Sequence, residues 1–261
     1  MMELINVSKR FIARREDLLA LSGINMRVGD GEFVCVVGPS GCGKSTIIRI
    51  INDIIKPSSG RVVVDGFTYE KNAPIPHKLI RRMGFIFQIP NLYPWLTVRE
   101  NIRLPLDIFG LRGQKWMNHA DFLIEKAGLS SCADQYPGSL SQGMSQRAGV
   151  VRAMVHKPDI LLMDEPFGAL DERTRERMDF ELLDIWRENG MSVVFITHNI
   201  GEAVLLAQRI YIMATAPGRI IDTLRVDLKK RDMSSFEDAR FEEYSSRINN
   251  AIGNILLEKA V

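Results

Sequence analysis

The chain has 261 residues, 46% of them hydrophobic and 25% charged, which suffices for a sizeable core in one domain, or in one domain with a smaller lobe. Lys and Arg number 34 against 32 Asp and Glu, a net charge of +2, so charge demands neither nucleic acid nor an anionic membrane surface. No apolar run approaches the ~18 residues that span a bilayer, and Met1-Met2-Glu3-Leu4-Ile5-Asn6 lacks a basic-then-apolar signal pattern. The expectation is a cytosolic protein, or one docked on a membrane through a partner.

Short β-rich runs come first: Glu3–Val7, Leu21–Val28, Phe33–Val37 and Arg61–Val64, with Gly29-Asp30-Gly31 and Asp65-Gly66 as turn signals. The third run leads into Gly38-Pro39-Ser40-Gly41-Cys42-Gly43-Lys44-Ser45-Thr46, which fits G-x-x-x-x-G-K-[ST]. An apolar helical pattern, Ile47-Ile48-Arg49-Ile50-Ile51, follows. A strand, a glycine-rich turn and a helix in that order make a P-loop. Successive backbone N–H groups point inward at the helix start and bind an anion, and phosphate fits well. Gly38, Ser40, Gly41, Cys42, Gly43 and Thr46 then belong to a phosphate cradle, Lys44 reaches the β- and γ-phosphates, and the Ser45 hydroxyl ligates Mg²⁺. An ordinary glycine turn is the plainer alternative, and the flanking strand and helix argue against it. Cys42 inside the loop predicts that thiol alkylation inhibits and that MgATP protects. The three cysteines, Cys35, Cys42 and Cys132, have no metal-ligand spacing and suit a reducing compartment.

After a run at Gly84–Phe87 the texture changes. From Gln88 to about Lys157 helical periodicity dominates, which reads as a helical lobe inserted into an α/β domain. Pro90, Pro94 and Trp95 lie in an irregular segment before Thr97-Val98-Arg99-Glu100, a capping box with Thr97 as N-cap. Beyond the lobe, Ile160–Met163, Ser192–Ile196 and Arg209–Met213 alternate with helical segments, the pattern of a largely parallel sheet.

The apolar strand in Asp159-Ile160-Leu161-Leu162-Met163-Asp164-Glu165-Pro166 ends in two carboxylates. A P-loop needs a second Mg²⁺ ligand, normally an Asp at a strand end, and Asp164 fits. Glu165, one residue further, is placed to orient and deprotonate an attacking water. His198 ends the next apolar strand; taken alone, a histidine there is usually structural. From about Phe236 to Leu257 the residues Phe241, Tyr244, Ile248, Ile252 and Ile255 recur on one helical face, which either packs on the parent domain or binds a partner. The tail after Asp222 reads as too short for a further sensory domain.

Taken together, these motifs resemble the ATP-binding-cassette (ABC) ATPases over nearly the whole chain. Ser139-Leu140-Ser141-Gln142-Gly143-Met144-Ser145-Gln146-Arg147 is similar to the L-S-G-G-Q signature of that family, with Gln142 where the first glycine is usual. Gln88 resembles the Q-loop glutamine, Ala169-Leu170-Asp171 the D-loop, His198 the switch histidine, and Phe11 the aromatic that stacks on adenine, simple packing being the alternative for Phe11. The resemblance implies an α/β fold, a P-loop NTPase (RecA-like) core with an antiparallel β subdomain and an inserted helical subdomain. It places an ATPase domain at 1–230, the helical subdomain at about 89–157 and a short helical extension at 231–261. The implied cofactors are ATP and Mg²⁺. Ser45, Gln88 and Asp164 surround the metal, Glu165 is the base, and His198 positions the γ-phosphate and water. Two chains bind head to tail as a homodimer, so that Ser141 and Gly143 of one contact the ATP on the other's P-loop, and Asp171 couples the two sites.

Pro94–Ile102, Pro166–Asp171 and Ala216-Pro217-Gly218-Arg219-Ile220 narrow the branch. The last is similar to the nitrate/sulfonate/taurine-type importers of bacteria. That implies integral-membrane permease subunits as partners, a periplasmic or extracellular solute-binding protein reached indirectly, no nucleic acid, and a place on the cytoplasmic face of the membrane. The segment Gln88–Asn101, with Tyr93 and Trp95, is the expected permease grip, sealing of the lobe being the alternative. A soluble or an exporter-type ABC ATPase is the competing reading.

Overall fold

The computed structural model describes every residue except 13–16, 72–74, 169 and 259–261. Its strands are β1 (Met2–Phe11), β2 (Leu18–Val28), β3 (Phe33–Val37), β4 (Ser59–Val64), β5 (Phe67–Tyr69), β6 (Met83–Ile86), β7 (Ile160–Asp164), β8 (Ser192–Ile196), β9 (Arg209–Ala214) and β10 (Arg219–Arg225). Its helices are α1 (Lys44–Ile51), α2 (His77–Ile80), α3 (Val98–Ile108), α4 (Gln114–Lys126), α5 (Gln142–Met154), α6 (Glu172–Asn189), α7 (Ile200–Leu206) and α8 (Ala239–Glu258).

The strands divide into two sheets. One is antiparallel, in the order β2-β1-β4-β5; the other runs β10-β9-β3-β8-β7-β6 and is parallel apart from the β9–β10 pair. The central strands β3, β7 and β8 are buried at every position, as strands covered on both faces must be, and their sequences are accordingly apolar apart from Asp164 at the end of β7 and Ser192 at the start of β8. Along β3 the pleat sends Phe33, Cys35 and Val37 into one core with α6, α7 and α8, and Val34 and Val36 into another with α1 and the antiparallel sheet.

A third core lies within the helical lobe, where Val98 and Ile102 of α3 meet Ala120 and Ile124 of α4 and Ala148 and Val151 of α5. Helix α5 serves two cores: Ala148 and Val151 face the lobe, while Val150, Ala153 and Met154 face the parallel sheet. The capping box before α3 is formed, Glu100 N–H donating to Thr97 Oγ1 at 3.2 Å and Thr97 N–H to Glu100 Oε2 at 2.7 Å. On α8, Phe241, Ile248 and Ile255 are buried, with Tyr244 and Ile252 half-buried against the sheet core, so the apolar face packs on its own chain.

Two strands escape the sequence reading. β5 has three residues, too few for a pattern, and β10 interleaves Arg219, Asp222 and Arg225 with its apolar residues because it is an exposed edge. Several boundaries also move: β1 runs on to Phe11 and β2 starts at Leu18, since antiparallel pairing carries them past their buried residues.

Candidate functional site

Four neighbouring strands, β3, β8, β7 and β6, end on the same side of the parallel sheet, and their following loops carry the chemistry. After β3 the chain makes the glycine turn and enters α1 without a side-chain cap. The N-cap Gly43 has φ +91°, a left-handed conformation that side chains resist, and a Cβ there would lie 2.6 Å from Leu21 Cδ2. The first N–H groups of α1 therefore face the turn with no side-chain acceptor. Lys44 is 5% exposed, and its ammonium donates to the carbonyls of Gly38 at 2.7 Å and Pro39 at 3.2 Å, so the charge is held across the loop. Gly38 is buried, Ser40 and Gly41 are exposed, and Thr46 is half-buried on α1.

Ser45 Oγ donates to Asp164 Oδ1 at 2.8 Å, joining the start of α1 to the end of β7. Burial pushes the Asp164 carboxyl up, against the opposing pull of the Ser45 hydrogen bond and of Arg49. A buried carboxylate beside a hydroxyl is an all-oxygen set, and a hard divalent cation such as Mg²⁺ uses one or two carboxylates together with phosphate oxygens. The residues present therefore fit Mg²⁺, although no group of three His, Cys, Asp or Glu forms a protein-only metal cage among the described residues.

Glu165 leaves the strand with φ +46°, in the left-handed region, its N–H held by Ile196 O at 3.0 Å. A non-glycine residue there stores local strain of about 1–3 kcal/mol, the kind found at functional positions. Its Oε2 lies 3.1 Å from His198 Nδ1, and Gln88 Nε2 approaches the same oxygen at 3.5 Å, the long limit of a hydrogen bond. His198 and Gln88 are exposed and Glu165 is half-buried. The structure thus gathers Lys44, Ser45, Asp164, Glu165, His198 and Gln88 at one edge.

Other singled-out residues stand apart from that cluster. Phe11, at the end of β1, is 39% exposed, with Lys9 Nζ 5.0 Å from its ring centroid. Ser141 is the N-cap of α5, in the helical lobe, its Oγ accepting from Met144 N–H at 3.3 Å; Gly143 lies in the first turn behind it, and Gln142 is exposed. Asp171 is the N-cap of α6, accepting from Thr174 N–H at 3.0 Å. Neither capping role was foreseen, though Ser-x-x-Met and Asp-x-x-Thr each put a short acceptor three residues before the donor it caps. Ala169 of the Ala169-Leu170-Asp171 string lies outside the described residues.

Cys42 corrects an expectation. Its side chain is fully buried in the core between the sheets, with burial pushing the thiol up, so only its backbone belongs to the loop face and the thiol is shielded from alkylation. The packing role of one residue of the branch-narrowing string went unnoticed. Gly218, in the β9–β10 turn, exchanges backbone hydrogen bonds with Ala20 and Ser22, and a Cβ on it would lie 2.1 Å from Cys42 O. That turn backs the glycine loop, and only glycine fits.

Tyr93 and Trp95 have ring centroids 5.3 Å apart, and Trp95 is 69% exposed, so it does not seal the lobe. Tyr93 borders a groove with Phe85, Leu104, Ile108, Phe109 and His156.

Comparison with known proteins shows the family of the chain. The profile of the ABC transporter family matches residues 21–168. The nitrate import ATP-binding protein of Synechocystis sp. is 38% identical over 258 residues, covering 96% of this chain and 94% of that one. An aliphatic sulfonates import ATP-binding protein of Bacillus licheniformis is 44% identical over 208 residues, covering 80% and 78%. Among solved structures, a dimeric ATP-binding cassette in a post-hydrolysis state bound to ADP and Pi superposes with a TM-score of 0.79 at 34% identity, covering 87% of this chain and 100% of that one.

Proposed function

This chain belongs to the ABC transporter family, and we propose that it is the ATP-hydrolysing subunit of an importer for nitrate, a sulfonate, taurine or a related small solute. The observation that carries the reading is the meeting, at the ends of four adjacent strands (β3, β8, β7 and β6), of the glycine loop, the Ser45–Asp164 pair and the Gln88–Glu165–His198 cluster.

In the proposed mechanism the loop amides and Lys44 hold the β- and γ-phosphates of ATP, Lys44 exchanging its loop carbonyls for phosphate oxygens. Ser45, Gln88 and Asp164 would hold Mg²⁺, which when bound would supply charge neutralisation on the phosphates. Glu165 accepts the proton of the attacking water. Nδ1–H of His198 donates to Glu165, which fixes the ring and leaves Nε2 for the γ-phosphate and water. Phe11, exposed at a strand end, stacks on adenine.

Ser141 and Gly143 act on the nucleotide of a second copy, and Asp171 couples the two sites. The Ser141 hydroxyl supports this: already accepting from Met144, it keeps its proton for an outside acceptor. A homodimer then holds two ATP molecules between subunits, and hydrolysis releases it. The groove beside Tyr93 and the exposed Trp95 suit a permease subunit, since aromatic anchors concentrate binding energy. No described helix is long and apolar enough to cross a membrane, so placement at the cytoplasmic face runs through that permease, and any external solute-binding protein is reached through it as well. The ATPase domain spans 1–230, with its helical part at about 89–157 and an extension at 231–261.

The test is purification of the tagged protein from gently solubilised membranes of its own host. A polytopic membrane protein in near-equal amount is the expected companion. Soluble partners alone, under conditions that preserve comparable complexes, would overturn the importer reading.

A further inference from the structure

A bridge from half-buried Arg175 to buried Glu202 joins the two loops that carry the cluster. Arg175, in the first turn of α6, donates from Nη2 to Leu170 O at 2.9 Å and from Nε to Phe167 O at 3.3 Å, so its guanidinium holds the backbone that leads from Glu165 to Asp171. The same Nε lies 3.5 Å from Glu202 Oε1, on α7. Glu202 is 6% exposed, and its Oε2 accepts the Thr197 hydroxyl proton. Thr197 Oγ1 in turn accepts Asn199 N–H at 2.9 Å, and Glu202 N–H donates to Asn199 Oδ1 at 3.2 Å. Both neighbours of His198 in sequence are therefore tied to Glu202, and both turns of the loop after Glu165 are tied to Arg175.

We propose that Arg175 and Glu202 are positioning residues, a bridge that sets the Glu165 loop and the His198 loop against each other and carries any movement of the Asp171 segment to the Glu165–His198 pair. The inference rests on the roles proposed above for Glu165 and His198. A third acid supports the assignment of partners. Asp179, on the same helix as Arg175, is 3% exposed, and its Oδ1 has no hydrogen-bond partner among the described residues. Burial, with a smaller push from Glu202, raises its carboxyl to about 9, so at neutral pH it holds a proton and does not compete for the guanidinium. Removing one end of the bridge leaves both loops folded but frees their relative placement, and a displacement of about 1 Å at reacting groups is enough to cost up to ~100-fold in rate.

The experiment measures steady-state ATP hydrolysis and MgATP affinity for Glu202→Gln, Arg175→Met, their double variant, Thr197→Val and Thr197→Ser, with Glu165→Gln alongside. The expectation is a loss of kcat of about tenfold or more in Glu202→Gln, Arg175→Met and Thr197→Val with MgATP affinity unchanged within about twofold, retention of kcat in Thr197→Ser, and a double variant no slower than its slower parent. Thermal unfolding of each variant identifies any that fails to fold, and the Thr197 pair, differing least from the parent, then decides. Parental kcat in folded variants, or losses that multiply in the double variant, would overturn the bridge while an inactive Glu165→Gln left the site reading standing. Parental turnover in Glu165→Gln would bring down that reading and the bridge with it.

Discussion

Two helix starts in this chain carry the proposed phosphate contacts, and they are built oppositely. α1 begins at Gly43 with no side-chain cap, in a left-handed turn wedged against Leu21 and backed by Gly218, so its first N–H groups stay available inside one subunit. α5 begins at Ser141, capped and exposed. The first is a complete cradle whose strain is held by the surrounding core. The second is a stable, ordinary helix end whose use depends on what another subunit brings to it. A site assembled within one chain tolerates little change in that chain; a site assembled between chains is sensitive mainly to what stands on its surface.

The sharpest way to break that contrast is to stop the chemistry and watch the second site. Glu165→Gln is expected to reduce turnover by ~10²–10⁴-fold, the usual weight of a general base. MgATP binding should persist and an ATP-bound dimer should accumulate, read by size-exclusion chromatography. A glutamine variant that hydrolyses ATP at the parental rate would remove Glu165 as base. Next in size, Ser141→Arg should prevent ATP-driven dimerisation while leaving nucleotide binding to the monomer intact, because the new side chain occupies the surface and not the loop. Unchanged dimerisation would dissociate α5 from the second site.

Two matched glycine substitutions sharpen the comparison. Gly43→Ala meets a φ of +91° and a Cβ position 2.6 Å from Leu21 Cδ2, and should destabilise the fold by roughly 1–3 kcal/mol, seen as a lower Tm. Gly143→Ala sits in a helix, 3.6 Å from Leu170 Cδ2, an ordinary contact. Its monomer should be unchanged or up to about 0.5 kcal/mol more stable, with any functional loss confined to the dimer. Asp179 offers a pH test of the core that supports both. Its folded carboxyl, raised to about 9, holds a proton that the unfolded chain gives up near the ordinary value, so the native state loses stability as pH rises between those values. Asp179→Asn should match the parent near pH 4 and exceed it in Tm at pH 8. The smallest effect is expected at Cys42, where buried sulfur should react slowly with alkylating agents whether or not MgATP is present.

The glycine turn, the carboxylates at the end of β7 and the capping box before α3 were legible because each depends on residues close together in sequence. So was the parallel sheet, whose buried strands leave long apolar runs. What could not be read was set by contacts between distant segments. Cys42 points into the core because β3 and the antiparallel sheet enclose the turn, and Gly218 matters because another loop passes 2.1 Å from where its Cβ would be. Ser141 was assigned to a partner's nucleotide and Asp171 to coupling of the two sites, with no sign that both also cap helices. The bridge from Arg175 to Glu202 spans segments that no local pattern connects. β10 was missed because an edge strand needs only one buried residue, Leu224, to hold its place.

Because α5 belongs to two cores at once, it is a rod clamped along its length, with Leu140 and Met144 at its N-terminal end packed on the lobe core. Its 13 residues extend about 20 Å. A tilt of about 10° at the far end would swing Ser141 through about 3 Å, the full length of a hydrogen bond. Small adjustments where the lobe meets the sheet are thus geared up at the tip, so the packing of Val150, Ala153 and Met154 sets the mechanical advantage with which one subunit reaches for the other.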